Sequence, residues 1–452
     1  VFDRLKVLDL TCCQHLVTTP DFSNLRNAEK LIFDGCRMLV EVHQSIGSFK
    51  SLVCLSMRHC RKLKKLPDNI CNLSSLQRLD LFYCIGISAL PHLLGYLKSL
   101  KHLNLSYTRI TTLPESMSKM KKLNKLDFHW CRSIKHLPEW IGGLKSLENL
   151  NILGTKIEKV PKSIEGLINL QSISAGFCKS LANLPYSFGN LKNLRYLDLQ
   201  STNMQELPDS IGLLGNLEKL SLSGCSNLKV LPSSVGLLKN LKELEAGEDS
   251  NSGRIGGVTG LPETIGSLTN LRRLILQTCV CLYSLPSSLT SLSQLETLNV
   301  EGCKELQHFP QLPFSLVKLS ANGCAALKNI SGVLNLKNLR DLSLGGCHEL
   351  VDASALESLT CLENLELCHC NQLQSLPQLS GSLIDLDLSS CHSVEKVSAD
   401  IPGQYRLKGS VELNFEGISE SPPLPLLMQT PHMTHSPASA ASGLTLFASN
   451  LK

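Results

Sequence analysis

Leu76-Gln77-Arg78-Leu79-Asp80-Leu81-Phe82-Tyr83-Cys84-Ile85-Gly86-Ile87-Ser88-Ala89-Leu90-Pro91 decides how the chain is read. It is one instance of L-x-x-L-x-L-x-x-C-x-x-L-x-x-L-P, with Ile87 at one of the Leu positions. Leu217, Leu220, Leu222, Cys225, Leu228, Leu231 and Pro232 repeat it at the same spacing, and a linker usually reading S-I-G-x-L-x-x-L follows. Outward from this stretch, units begin at 5, 28, 52, 76, 100 and so on to 383, seventeen in all, mostly 23 or 24 residues long.

In x-L-x-L-x, side chains alternate between the faces of a short strand, so the two Leu point inward and the intervening residues outward. Pattern and period match the leucine-rich repeat. The expected fold is therefore an α/β leucine-rich-repeat solenoid, a curved horseshoe with a parallel β-sheet on the concave face and short 3-10 or irregular convex segments. Pro lacks a backbone N–H and has a fixed φ, which suits such a segment better than a helix interior. No repeat buries its Leu face alone; its neighbours do so. The repeats cover 1–397, and 398–452 form a Pro- and Ser-rich tail expected to be disordered, carrying Pro422-Pro423-Leu424-Pro425 and Pro437-Ala438-Ser439-Ala440-Ala441-Ser442.

Of 452 residues, 42% are hydrophobic and 18% charged, enough for a sizeable core. The formal charge of +5 is small for this length and no Lys/Arg run reaches three, so nucleic-acid binding has little support. No stretch approaches the ~18 apolar residues of a membrane span. The chain opens at Val1, inside a repeat, and reads as an excerpt from something longer.

Thirteen of the nineteen cysteines share the turn position, at 13, 36, 60, 84, 131, 178, 225, 279, 303, 324, 347, 370 and 391; Thr108, Thr155, Thr202 and Asp249 fill the remaining units. Thr can hydrogen-bond nearby backbone, and Cys is a compact apolar filler. Interchange with Thr favours a buried packing role over a metal or disulfide ladder, and no zinc-type spacing appears. Free buried thiols point to a reducing compartment. Cys368-His369-Cys370 is the densest Cys/His cluster and a weak metal candidate. Asn72-Leu73-Ser74, Asn104-Leu105-Ser106 and Asn329-Ile330-Ser331 match the glycosylation acceptor pattern, which discriminates poorly in a chain this rich in Asn and Ser.

Leu8-Asp9-Leu10, Leu16-Val17-Thr18-Thr19-Pro20-Asp21-Phe22-Ser23, Glu29-Lys30-Leu31, Gly35-Cys36 and Leu39-Val40-Glu41-Val42-His43-Gln44-Ser45-Ile46-Gly47 carry a more specific likeness. They resemble the first repeats of plant intracellular disease-resistance receptors, which join a TIR domain, a nucleotide-binding domain and leucine-rich repeats. The resemblance covers 1 to about 397 and implies a pathogen-sensing region in the cytoplasm, with the nucleus as a second compartment. The implied partner is a protein, either a pathogen effector or a guarded host protein, with an intramolecular contact to the parent's nucleotide-binding domain. NAD hydrolysis and ADP or ATP binding would belong to upstream domains. This chain has no phosphate-binding loop of the form G-x-x-x-x-G-K followed by Ser or Thr, and no nucleophile–base constellation, so no cofactor and no catalysis are expected of it. Residues 398–452 are too few for the β-sandwich that often follows such repeats. The rival readings are a stand-alone intracellular scaffold and, behind it, an extracellular receptor, which would need a signal peptide and cap disulfides.

Inward positions are set by packing, so recognition falls to the outward ones. The slot before the turn residue reads His59, Tyr83, Tyr107, Trp130, Gly154 and Phe177 in consecutive units of a chain only 5% aromatic. Between the paired Leu stand Asp80, Asn104, Asp127, Asn151, Ser174 and Asp198; ahead of the pair stand Arg78, His102, Lys125, Asn149, Ser172 and Tyr196. Basic, acidic/amide and aromatic stripes would then lie side by side, the usual make-up of an interface centre. Rings that merely shield the strand-to-turn edge are the competing explanation. A second candidate is a six-residue insertion within 247–257, expected to loop out.

Overall fold

The structure is a computed structural model describing residues 4–25, 27–248, 256–394, 396–397, 406–408, 411–413 and 444–446. The chain divides into two compact units, 1–244 and 245–452.

In the first unit the inward-outward alternation yields strands of three residues, x-L-x: Val7–Asp9, Lys30–Ile32, Cys54–Ser56, Arg78–Asp80, His102–Asn104, Lys125–Asp127, Asn149–Asn151, Ser172–Ser174, Tyr196–Asp198 and Lys219–Ser221. Each pairs in parallel with the next, in register: Arg78 opposite His102, His102 opposite Lys125, Lys125 opposite Asn149. The central Leu of each strand thereby joins an inward row, with Leu79, Leu103, Leu126 and Leu150 buried. The second unit repeats the scheme from Arg273–Ile275 to Asp385–Asp387. Beyond residue 397, the described strand Arg406–Lys408 adds a further parallel rung on Asp385–Asp387. Apart from that strand, Val411–Leu413 and Leu444–Leu446, the disordered reading of 398–452 lies outside the described residues.

In most repeats of the first unit a proline after a Leu or Val opens a 3-10 segment. Pro138, Pro161 and Pro185 sit in extended backbone immediately before Glu139–Gly143, Lys162–Gly166 and Tyr186–Asn190. These segments are five residues long, the short run that i→i+3 bonding tolerates. Leu144 closes one of them by donating its N–H to Ile141 O at 3.0 Å. Among the described residues there is no α-helix. Each unit is a leucine-rich-repeat solenoid, with Leu and Ile from strands and 3-10 segments filling the space between the two sides.

Two linker positions tie repeats together. Asn169, Asn193, Asn216 and Asn240 each donate Nδ2–H to a carbonyl of the preceding repeat at 2.7–2.9 Å. The Gly of S-I-G and its equivalents is needed for close approach: a Cβ on Gly142 would overlap the Ser163 carbonyl oxygen of the next repeat. Gly95 and Gly189 meet Ser116 and Ser210 in the same way.

All nineteen cysteines are free thiols. Turn-position thiols are more than filler: Cys84, Cys131 and Cys324 donate S–H to the carbonyls of Met57, Leu105 and Val300 in the repeat before, at 2.9, 3.0 and 3.2 Å. Thr108, Thr155 and Thr202 donate instead to a carbonyl three residues back, at 2.7–2.8 Å. Among the described residues no group of three or more His, Cys, Asp or Glu is placed to hold a metal ion.

Burial drives the Cys324 thiol up to about 12, well above the ~8.5 of an unfolded thiol. The folded state then holds that proton more tightly, so the stability it contributes is present below about pH 8.5 and lost as pH rises through about 12. Cys324→Thr is expected to fold at pH 7 within about 1 kcal/mol of the parent, because Thr fills equivalent slots elsewhere. Its urea midpoint should fall less steeply above pH 9 than the parent's. Superimposable pH curves for the two proteins would contradict the assignment.

Candidate protein-binding face

Three rows of side chains run across the strands of the first unit. In the first, Arg78, His102 and Lys125 stand on adjacent rungs, exposed, with Asn149 beyond them. Ser172 is half-buried, and Tyr196, 45% exposed, carries the Arg195 guanidinium 5.9 Å from its ring centre. Partial burial, then the charges of Arg78 and Lys125, lower the pKa of His102, favouring a neutral ring at neutral pH.

The middle row departs from the outward reading. Asp80 is only 2% exposed; its Oδ1 accepts the backbone N–H of Phe82 at 3.1 Å and its Oδ2 takes Arg78 Nη2 at 3.1 Å. Asn104, Asp127, Asn151 and Asp198 accept the N–H two residues on in the same way, at 3.0–3.2 Å. This side-chain turn steers the chain off the strand, which gives the Asp/Asn preference a structural cause. Asp127 is the most elaborated: burial alone would raise its pKa, but bonds from His129 Nδ1 (2.6 Å) and Ser106 Oγ (2.7 Å) outweigh it and hold the pKa below the ordinary value.

The third row has a feature that stripe-reading missed. His59, Tyr83, Tyr107, Trp130 and Phe177 all have φ between 57° and 61°, the left-handed region. Glycine occupies the same slot, with the same positive φ, at Gly35, Gly154, Gly224, Gly302, Gly323 and Gly346. Glycine adopts that conformation freely, whereas a bulky side chain there costs about 1 kcal/mol. Glycine's recurrence in the slot was legible in the sequence and would have disclosed the conformation.

The rings stack from rung to rung. His59–Tyr83, Tyr83–Tyr107 and Tyr107–Trp130 centroids lie 5.1, 5.3 and 6.4 Å apart, and Trp130 reaches Phe177 at 6.0 Å. That last contact steps over Gly154, whose Cβ, if present, would come within 2.6 Å of Trp130 Cδ2. Phe82 and His129, residues outside the three rows, add rings: Phe82 lies 5.5 Å from Tyr107 and 6.1 Å from His129. Three guanidinium groups lie over rings: Arg58 on Phe82 (5.1 Å), Arg61 on Tyr83 (5.0 Å) and Arg132 on Trp130 (5.0 Å). All seven rings are half-buried. They therefore pack on one another, as a shield would, and still present their edges. Of the insertion within 247–257, residues 249–255 lie outside the described residues.

Residues 36–173 and 177–277 match the family model described as leucine-rich repeat region. The chain belongs to the leucine-rich repeat family. This leucine-rich-repeat protein is similar in fold to a chain of the Toll–Spatzle complex of Drosophila, at 18% identity and a TM-score of 0.62, covering 87% of this chain and 58% of that one. It is likewise similar to the functional domain of InlJ from Listeria monocytogenes, whose description includes a cysteine ladder: 17% identity, TM-score 0.58, 90% and 80% covered. A 48-residue segment is 40% identical to disease resistance protein RPV1 of Vitis rotundifolia, spanning 11% of this chain and only 3% of that protein. The matched family is a repeat fold that commonly serves as a scaffold for binding proteins. No helix among the described residues is long and apolar enough to cross a membrane.

Proposed function

We propose that this chain is the recognition region of an intracellular plant immune receptor of the TIR, nucleotide-binding and leucine-rich-repeat type, acting in defence by binding a protein. The observation that carries the contact face is the left-handed slot: four consecutive repeats, and a fifth after Gly154, place a large ring where the fold is cheaper with glycine. The left-handed slot recurs with other residues at Cys12, Ser201, Thr278, His369 and Ser390, so what sets this cluster apart is the run of large rings at positions where other repeats use glycine or a smaller side chain, the make-up of an interface centre. The segment shared with the grapevine resistance protein and the opening repeats support the receptor assignment.

The partner in this reading is a pathogen effector or a host protein that effectors modify, met in the cytoplasm or the nucleus. A nucleotide-binding domain of the parent would contact the repeats, and ADP or ATP would bind there, with no cofactor in this chain. The test is capture from infected plant tissue with the full chain as bait, beside the Tyr107→Gly, Trp130→Gly chain. An effector or host protein retained by the parent alone is the expected result; the same proteins on both baits would remove the ring face from the reading. Sequencing the upstream reading frame tests the receptor assignment separately, since a frame without a phosphate-binding loop overturns it.

A further inference from the structure

The net charge of +5 conceals a division along the chain. Residues 1–244 hold 32 of the 44 Lys and Arg but 19 of the 39 Asp and Glu, a net of +13; residues 245–452 carry −8. Within the first unit, residues 51–200 alone account for +13, and they span the repeats that carry the stacked rings. An excess of one sign over a unit selects partners of the other sign and speeds their capture.

Among the described residues no carboxylate forms an ion pair with Arg58, Arg61, Arg132, Lys62 or Lys64, all of them exposed. Arginines of the second unit are placed otherwise: Arg340 meets Glu363 at 2.7 Å and Arg406 meets Asp385 at 2.8 Å. An arginine laid flat on a ring keeps its N–H edge directed outward and loses little freedom when it grips a carboxylate. Beside Arg61, which lies over Tyr83, is a shallow hollow of about 560 Å³, lined by Val40, Arg61, Lys62, Lys64, Gly86 and Ser88. Arg61 belongs to both features, so the hollow and the stack form one continuous surface.

We infer that this surface docks an acidic polypeptide segment, its carboxylates gripped by Arg58, Arg61 and Arg132 along the ring edges and by Lys62 and Lys64 in the hollow. The inference rests on the contact face proposed above and adds the chemistry of what it holds. Single-stranded nucleic acid offers the same charge but binds by laying bases on open ring faces. Here those faces are taken, with neighbouring rings at 5.1–6.4 Å and guanidinium groups over three of them. Carboxylates need only guanidinium N–H groups, and among the described residues those of Arg58, Arg61 and Arg132 meet no carboxylate.

The experiment uses the full chain with three fluorescent probes: a Glu-rich peptide, its Gln-for-Glu counterpart, and a single-stranded oligothymidylate of matching charge. Anisotropy titrations should show the Glu peptide bound, the Gln peptide at least about tenfold weaker, and binding that weakens steadily with salt. The Arg58→Gln, Arg61→Gln, Arg132→Gln chain should lose at least about tenfold in affinity for the Glu peptide. A Lys98→Gln, Lys145→Gln, Lys162→Gln chain makes the same change in charge on the 3-10 side and should lose about twofold or less. Equal losses in the two triple variants, tighter binding of the oligothymidylate, or no binding of the Glu peptide would each overturn the inference. Failure here is separable from failure of the contact face: a parent chain that captures a protein through Tyr107 and Trp130 yet ignores acidic peptide refutes the charge assignment alone.

Discussion

Gly142→Ala is expected to lower stability by about 3 kcal/mol, although alanine is ordinarily the better residue in regular backbone. Gly142 has no positive φ, so alanine is not strained there on its own account. Replacing glycine at such a position normally stabilises by about 0.4–1 kcal/mol, because it restricts the unfolded chain. The added Cβ, however, would overlap the carbonyl oxygen of Ser163 in the next repeat. A backbone oxygen cannot rotate aside, so the two 3-10 segments have to separate and carry the buried Ile141 and Ile164 with them. Gly215 supplies the control: a Cβ there meets nothing within 4 Å, and Gly215→Ala should be neutral or slightly stabilising. Urea midpoints of the two variants check the sign. Equal midpoints would mean that neighbouring repeats are not in the close contact described.

Trp130→Gly and Tyr107→Gly are expected to remove partner binding while leaving the fold nearly as stable. Each substitution loses ring contacts worth about 0.5–1.5 kcal/mol and relieves a left-handed backbone costing about 1 kcal/mol. These terms oppose one another, so the change in urea midpoint should be small. At an interface a central aromatic contributes about 2–4 kcal/mol, a loss of roughly 30- to 1000-fold in affinity. Glycine is the informative replacement because the fold already uses it at Gly154, between Trp130 and Phe177. Stability that collapses while the folded protein binds unchanged would make the rings a shield over the strand-to-turn edge and nothing more.

How far the sequence could be read differs between the three rows. Alternation alone puts Arg78, His102 and Lys125 in an outward row, and all three are exposed. The same rule puts Asp80 outward, yet it is buried, its carboxylate taken up by the Phe82 N–H and the Arg78 guanidinium. The rings of Tyr83, Tyr107 and Trp130 show in the sequence as a concentration of aromatics in one slot, whereas Phe82 and His129 lie outside that slot and reach Tyr107 from neighbouring repeats.

The repeat, its inward Leu rows and the short proline-led segments follow from spacing along the chain. A period of 23 or 24 residues with strict two-residue alternation admits few ways of burying that many Leu, and none within a single repeat. What spacing could not specify is which atoms meet across the step from one repeat to the next. The overlap that forbids a side chain on Gly142, the proton that turn thiols such as Cys131 lend to the repeat before, and the way Arg58 and Arg61 come to lie over Phe82 and Tyr83 depend on separations of a few ångströms between residues some two dozen positions apart. Such distances arise only once the repeats have stacked.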